Sequence, residues 1–379
     1  MIAHRLFLVP LVCSLTICGV FEAKVTATTP EAIKHAIVRA SQYLRESGQQ
    51  SDGSFSPKSG PAITALCITA LVRTGTAIDS RMVSRAVAYL LTFQQSDGGI
   101  YQPESAVANY ETSIALLALH ECNSSGQYEE IIQKARQFLT VIQWDESEGN
   151  TYADPEYGGA GYGRHERPDL SNTAFLIDAL KGVGASSDDP AIQRALIFVS
   201  RSQNLEGVYD ILDVANKNPD GGFFYTPANG GESQAGTTPT GGLRSYGSMT
   251  YSGLRSMIYA GVSADDPRVV AAIEWLKRHY TFAENPGMGD AGLFYYFHTA
   301  AKALHVLGQD QVIGIDGKAH DWRKDLVGAL LSSQNEDGSW VNNNSRWLEG
   351  DANLVTSYAL LALSYCQPSI SEQADLVVP

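Results

Sequence analysis

Apolar residues along this chain fall into two alternating kinds of segment. One kind has helically spaced apolar positions and a polar face: residues 30–47, 79–94, 128–143, 190–203, 267–280 and 322–334. In 269–276 the spacing suits a helix with one wet side. The other kind is apolar almost throughout: 62–74, 106–122, 171–183, 249–262, 293–307 and 352–366. An evenly apolar helix is buried on most sides. Two polar-faced helices announce their starts. Asp188-Asp189-Pro190 and Asp265-Asp266-Pro267 put Asp at the cap and Pro at the first helical position.

A turn signature lies between the two kinds. It reads Gln49-Gln50-Ser51-Asp52-Gly53-Ser54-Phe55, Gln94-Gln95-Ser96-Asp97-Gly98-Gly99-Ile100 and Gln334-Asn335-Glu336-Asp337-Gly338-Ser339-Trp340. Looser copies surround Gly158 and Gly221, and a degraded sixth spans 285–292. Repetition on this scale marks a repeat architecture, with loop insertions in the longer intervals. Six wet-faced helices alternating with six buried ones predict an all-α double ring, outer around inner. It would form one domain over residues 28–368, with 369–379 as a tail.

The Gln-x-x-Asp-Gly-Ser-Phe/Trp signature between paired helices resembles the prenyltransferase and squalene-oxidase repeat. That repeat belongs to terpenoid cyclases and protein prenyltransferase β-subunits. The resemblance covers about residues 30–366 and implies an α6/α6 toroid of six helical hairpins. It speaks to fold more than to activity, because the repeated residues are architectural.

The chemistries of that superfamily leave few traces here. The Asp-x-Asp-Asp acid of triterpene cyclases is absent, as is the Asp-Asp-x-x-Asp of metal-dependent prenyl chemistry. Against a prenyltransferase-like zinc triad, Asp290 occupies the Asp position. Gly292 stands where Cys is expected and Val355 where His is expected. Zinc needs such ligands, so the expectation is no metal and no cofactor.

What remains is a set of polar and aromatic residues where inner helices begin. Six helix N-termini there present partial positive charge and free N–H groups. The expected ligand site comprises Tyr110, Glu111, Tyr251, Asp290, Tyr296, His298 and Asp351. Glu111, His298 and Asp351 are the catalytic candidates. Asn109, Asn172, Ser248, Thr250, Tyr295 and Asn353 are further polar or aromatic candidates where inner helices begin. Structural roles compete for several: Asp290 and Asp351 as helix caps, Asn172 as cap or turn, His298 as a satisfied buried histidine. The long Gly/Ser/Thr-rich segment 226–248, with Arg244 and Tyr246, suits a loop over the cavity mouth. So does 144–169, with Tyr157, Tyr162, Arg164 and His165.

Composition narrows the partners. The chain has 379 residues, 44% hydrophobic and 18% charged, with a net charge of −14. An acidic chain repels nucleic acid. Residues 1–27 carry Arg5, an apolar run at 6–20, and small residues at Val25-Thr26-Ala27. That is a secretory signal pattern, and it predicts export to a periplasmic or extracellular space. The 6–20 run falls short of the roughly 20 residues needed to span a bilayer, and no other segment reaches its length. Cys67, Cys122 and Cys366 read as small buried hydrophobes, with a disulfide between two of them left open. Three functions stay open. One is a ligand-binding, cyclase-like toroid. Another is a non-standard transferase or cyclase acting on an isoprenoid-like substrate. The third is a carbohydrate-active toroid pairing Glu111 with Asp290 or Asp351. The ligand is then a small hydrophobic molecule, a peptide or a sugar.

Overall fold

A computed structural model describes residues 28–367. The expected signal at 1–27 and tail at 369–379 lie outside the described residues. Twelve α-helices alternate along the described residues. The polar-faced set is α1 (Pro30–Tyr43), α3 (Arg81–Leu91), α5 (Glu129–Val141), α7 (Pro190–Arg201), α9 (Pro267–Arg278) and α11 (Trp322–Ser333). The apolar set is α2 (Ala62–Arg73), α4 (Ala108–Glu121), α6 (Leu170–Gly182), α8 (Gly247–Tyr259), α10 (Leu293–Leu307) and α12 (Ala352–Ser364). A short antiparallel hairpin, β1 (Gln311–Ile313) and β2 (Ala319–Asp321), joins α10 to α11.

Local chemistry sets the helix starts. Asp189 accepts from Ala191 N and Asp266 from Arg268 N, each followed by Pro at the first position. In both Asp-Asp-Pro triplets the second Asp is therefore the cap. Asp169 caps α6 and Asp351 caps α12.

The apolar helices pack side by side: α2 on α4, then α6, α8, α10 and α12, and α12 returns to α2. Each carries one polar-faced helix on its outside, and α1 lies against α12. The chain is thus all-helical in its core, with an arrangement consistent with an α/α toroid.

The turn signature fastens neighbouring units together. Gln49 Nε2 donates to Gly53 O within its own turn and to Met82 O on α3. Gln143 does the same to Gly158 O and Ala191 O, and Gln203 to Gly221 O and Arg268 O. Gln334 bonds Gly338 O and reaches Ala36 O on α1, tying the last unit to the first. Each glutamine therefore holds its turn to the next outer helix. Gln143→Ala is expected to lower stability by about 2 kcal/mol, because two buried carbonyls lose their donor. Chemical denaturation checks this, and a loss below about 0.5 kcal/mol would show that the staple is incidental.

A second recurring contact fixes the rotation of the inner helices. The backbone N–H after the turn donates to a threonine hydroxyl one helix later. The pairs are Phe55–Thr64, Ile100–Thr112, Ala160–Thr173, Phe223–Thr250 and Trp340–Thr356, at 2.9 to 3.1 Å. The unit containing the degraded signature departs from this. Tyr296 occupies the corresponding place on α10, and its hydroxyl donates to Thr281 O.

Cys67, Cys122 and Cys366 are all buried and free. No described helix is long and apolar enough to cross a membrane.

Candidate functional site

The threonine register decides which inner-helix side chains meet in the middle. Residues one and two positions before it line a cavity of about 510 Å³: Ala62 and Ile63, Tyr110 and Glu111, Ser248 and Met249. Ser171, Leu354 and Tyr295 complete that level. Loop residues Tyr162, Tyr225, Gln234, Tyr246 and Trp347 close over the helix starts.

The wall is a chain of aromatic rings. Tyr110 meets Phe175 edge-on at 5.1 Å, Phe175 lies 6.1 Å from Tyr295, and Tyr295 lies 5.9 Å from Tyr358. Hydroxyls pair among themselves, Tyr110 with Tyr358 at 3.4 Å and Ser171 with Tyr295 at 2.9 Å. These contacts satisfy the polar tips while leaving ring faces for an apolar occupant.

Glu111 places a carboxyl on this wall. It is 2% exposed and accepts from Gln102 N at 3.2 Å. Burial pushes its pKa up to about 7, against the opposing hydrogen bonds from Ser105 and Gln102. Gly60 stands directly against it, where a β-carbon would overlap the carboxyl. Glu349 also lines the cavity, but it works as a cap. Gly292 has no side chain to cap α10, and Glu349 accepts from Tyr295 N at 2.7 Å, Phe294 N and Asn342 Nδ2. Burial raises its pKa, as it raises that of Asp169 to about 6.

Of the residues expected at the site, Tyr110 and Glu111 stand on the cavity wall. The other five do not line it. Tyr251 follows Thr250 and so turns away from the centre, packing 5.8 Å from Tyr296. Tyr296 takes the threonine place and points at the turn, near Phe282. Asp290 accepts from Asn344 Nδ2 in the loop before α10. Asp351 caps α12 through Asn353 N and Leu354 N and accepts from Ser56 Oγ. His298 is buried beyond the cavity floor, stacked on Tyr358 at 5.8 Å. Burial first, then Lys302, Arg255 and Arg73, keeps its pKa well below the usual histidine range.

Other expected neighbours have local roles. Asn109 bonds Gly161 O, Asn172 bonds Asp169, and Asn353 bonds Ser56 Oγ. Arg244 bonds Thr237 O and Tyr157 donates to Glu146. Arg164 lies over the Phe138 ring, and His165 lies 3.5 Å from Glu148. Phe175, Tyr225, Trp347 and Tyr358 were not singled out by sequence reasoning. Aligning the inner helices on their threonines finds Phe175 and Tyr358, both two positions after it. Tyr225 and Trp347 sit in loops with no periodic signal. Among the described residues, no group of three or more His, Cys, Asp or Glu side chains is placed to hold a metal.

The chain is an all-helical, toroid-like protein with an aromatic cavity at its inner-helix starts, and its similarities point to the terpenoid cyclase toroid superfamily. A family model of the squalene-hopene cyclase C-terminal domain matches residues 55–216. A probable squalene–hopene cyclase of Sinorhizobium fredii (strain NBRC 101917 / NGR234) is 28% identical over 151 residues. That match spans 39% of this chain and only 23% of the relative. In fold, the chain is similar to the type II terpene cyclase MstE from Scytonema in its apo form. The TM-score is 0.55 at 14% identity, covering 89% of this chain and 97% of that one. It is also similar to a family 76 glycoside hydrolase from a bovine Bacteroides thetaiotaomicron strain, with a TM-score of 0.56 at 10% identity. That match covers 89% of this chain and 78% of the hydrolase. Together these findings fit the terpenoid cyclase toroid superfamily.

Proposed function

We propose that this protein binds a small, mostly apolar molecule with one polar end in the cavity at the inner-helix starts. The observation that carries this is the wall itself: linked aromatic rings around about 510 Å³, with the Glu111 carboxyl among them. A few polar groups in an apolar concavity are the usual make-up of a ligand site. The packing of α12 back on α2 supports a closed α6/α6 toroid of six helical hairpins. The charged start, apolar run and small residues at 1–27 support export after cleavage. A substituted form of the Scytonema terpene cyclase was solved with geranylgeranyl dihydroxybenzoate as substrate. An isoprenoid-like ligand is the chemistry this wall suits best here too.

Glu111 is a poor starter of a cyclisation. A carboxyl that keeps its proton to about pH 7 is a weaker acid than an ordinary one, the wrong direction for protonating a carbon–carbon double bond. It is better fitted to exchange one hydrogen bond with the polar end of a ligand. The carbohydrate reading draws less support. Asp351 is engaged as a cap and Asp290 bonds Asn344, so neither faces Glu111 across the cavity.

Titration with geranylgeraniol, followed by tryptophan fluorescence, tests the proposal, since Trp347 lines the mouth. Wild type is expected to bind saturably. Ser171→Phe fills the wall and is expected to weaken binding at least about tenfold, or ~1.4 kcal/mol, with little change in melting temperature. No saturable signal, or equal affinity in both proteins, would sink the reading.

A further inference from the structure

Beyond the floor of the aromatic cavity, three charged side chains are buried together. Asp178 on α6 offers one oxygen, Oδ2, both to Arg255 Nη2 on α8 at 3.0 Å and to Lys302 Nζ on α10 at 2.9 Å. The three side chains are 4–9% exposed. Their hydrogen bonding is incomplete. Asp178 Oδ1, Arg255 Nε and Arg255 Nη1 have no partner among the described residues, nor do the Ser252 and Ser256 hydroxyls on the same helix as Arg255. A buried ion stripped of water is costly unless it is paired and hydrogen-bonded. Two positive charges share one negative charge here. A trapped water would satisfy N–H groups but leave the extra charge uncompensated.

The cluster opens toward the other end of the ring, where the inner helices finish. Asp178 and Lys302 line a second cavity there, of about 490 Å³, with Arg73, Lys181, Tyr259 and Tyr365. Arg73 is paired with Glu121 at 2.6 Å. Lys181 has no ion pair within 4.0 Å among the described residues. Helix-end carbonyls attract cations, and this accounts for Arg73 and Lys181 in the last turns of α2 and α6. That field fades within one turn, and Arg255 and Lys302 lie deeper than that. Their excess charge therefore calls for another partner.

We propose that this second cavity binds a small oxyanion, a phosphate or carboxylate group, between Lys302 and Lys181. Its oxygens accept from Lys302 Nζ and Lys181 Nζ on the cavity wall, and its charge balances the cluster of which Arg255 is the buried member behind that wall. The proposal is independent of what occupies the aromatic cavity.

Calorimetric titration of the purified full chain with inorganic phosphate, and separately with acetate, tests it. Saturable binding of either anion is expected, and the tighter of the two identifies the class. Lys302→Gln is expected to abolish binding. Lys181→Gln, at the rim and safe for folding, is expected to weaken it about tenfold and decides the matter if Lys302→Gln does not fold. Glu111→Gln, in the other cavity, should leave the affinity unchanged. No saturable binding of either anion at millimolar concentration would overturn the proposal. So would affinity that survives intact in whichever of the two lysine variants folds.

Discussion

Gly158→Ala is expected to destabilise the protein by about 3 kcal/mol or more, while Gly184→Ala costs only about 1 kcal/mol. Both glycines have positive φ, +83° and +89°. A side chain pays the left-handed penalty at either site. The difference lies in the surroundings. At Gly158 a β-carbon would overlap the carbonyl oxygen of Arg194, which belongs to the backbone of α7 and cannot turn aside. At Gly184 nothing lies within 4 Å. The same overlap recurs at Gly53 with Arg85 O and at Gly338 with Arg39 O, so the turn glycine is the point where each unit seats against the next outer helix. Denaturation of the two alanine variants side by side checks this. Equal losses would mean that backbone strain, not close packing of neighbouring units, requires glycine in the signature.

Glu111→Gln is expected to stabilise the protein above pH 7 by about 2 kcal/mol and to change it little near pH 4. The sign follows from the pKa. The carboxyl rises from 4.5 to about 7 on folding because burial disfavours its charge. Below pH 4.5 it is protonated in both folded and unfolded chains and costs nothing. As pH climbs toward 7 the unfolded chain ionises first, and stability is lost. The full shift is discounted because the carboxyl borders an open cavity. Gln keeps the shape and the acceptor for Gln102 N without the charge. Melting temperatures of wild type and variant should diverge by a few degrees between pH 4 and pH 8. A difference that is flat across pH, or a variant less stable at pH 8, would show that Glu111 is not held protonated.

Much of the helical order was legible in the residues. The amphipathic stretches at 190–203 and 267–280 correspond to α7 and α9, and their Asp-Pro starts are the caps observed. Burial of the second set of helices followed from their even apolarity. The site was legible only in its level along the ring. Tyr110, Glu111, Tyr251 and Tyr296 all lie near inner-helix starts, yet two face the cavity and two face away. A shift of one residue turns a helical side chain by about 100°. Asp178, Arg255 and Lys302 lie on three different helices, and nothing local in the sequence joins them.

By itself, then, the amino-acid order determined what short-range physics governs: where helices start, which have a wet side, and where glycine and glutamine make a turn. These depend on neighbours a few positions away. The tertiary structure decided the rest. It took the Phe55–Thr64 type of contact to set each inner helix's rotation, and so to bring Tyr110, Phe175, Tyr295 and Tyr358 onto one wall. It took the return of α12 to α2 to enclose them. Burial raised the pKa of Glu111, and burial depends on surfaces contributed by segments hundreds of residues apart. No local pattern encodes such a sum.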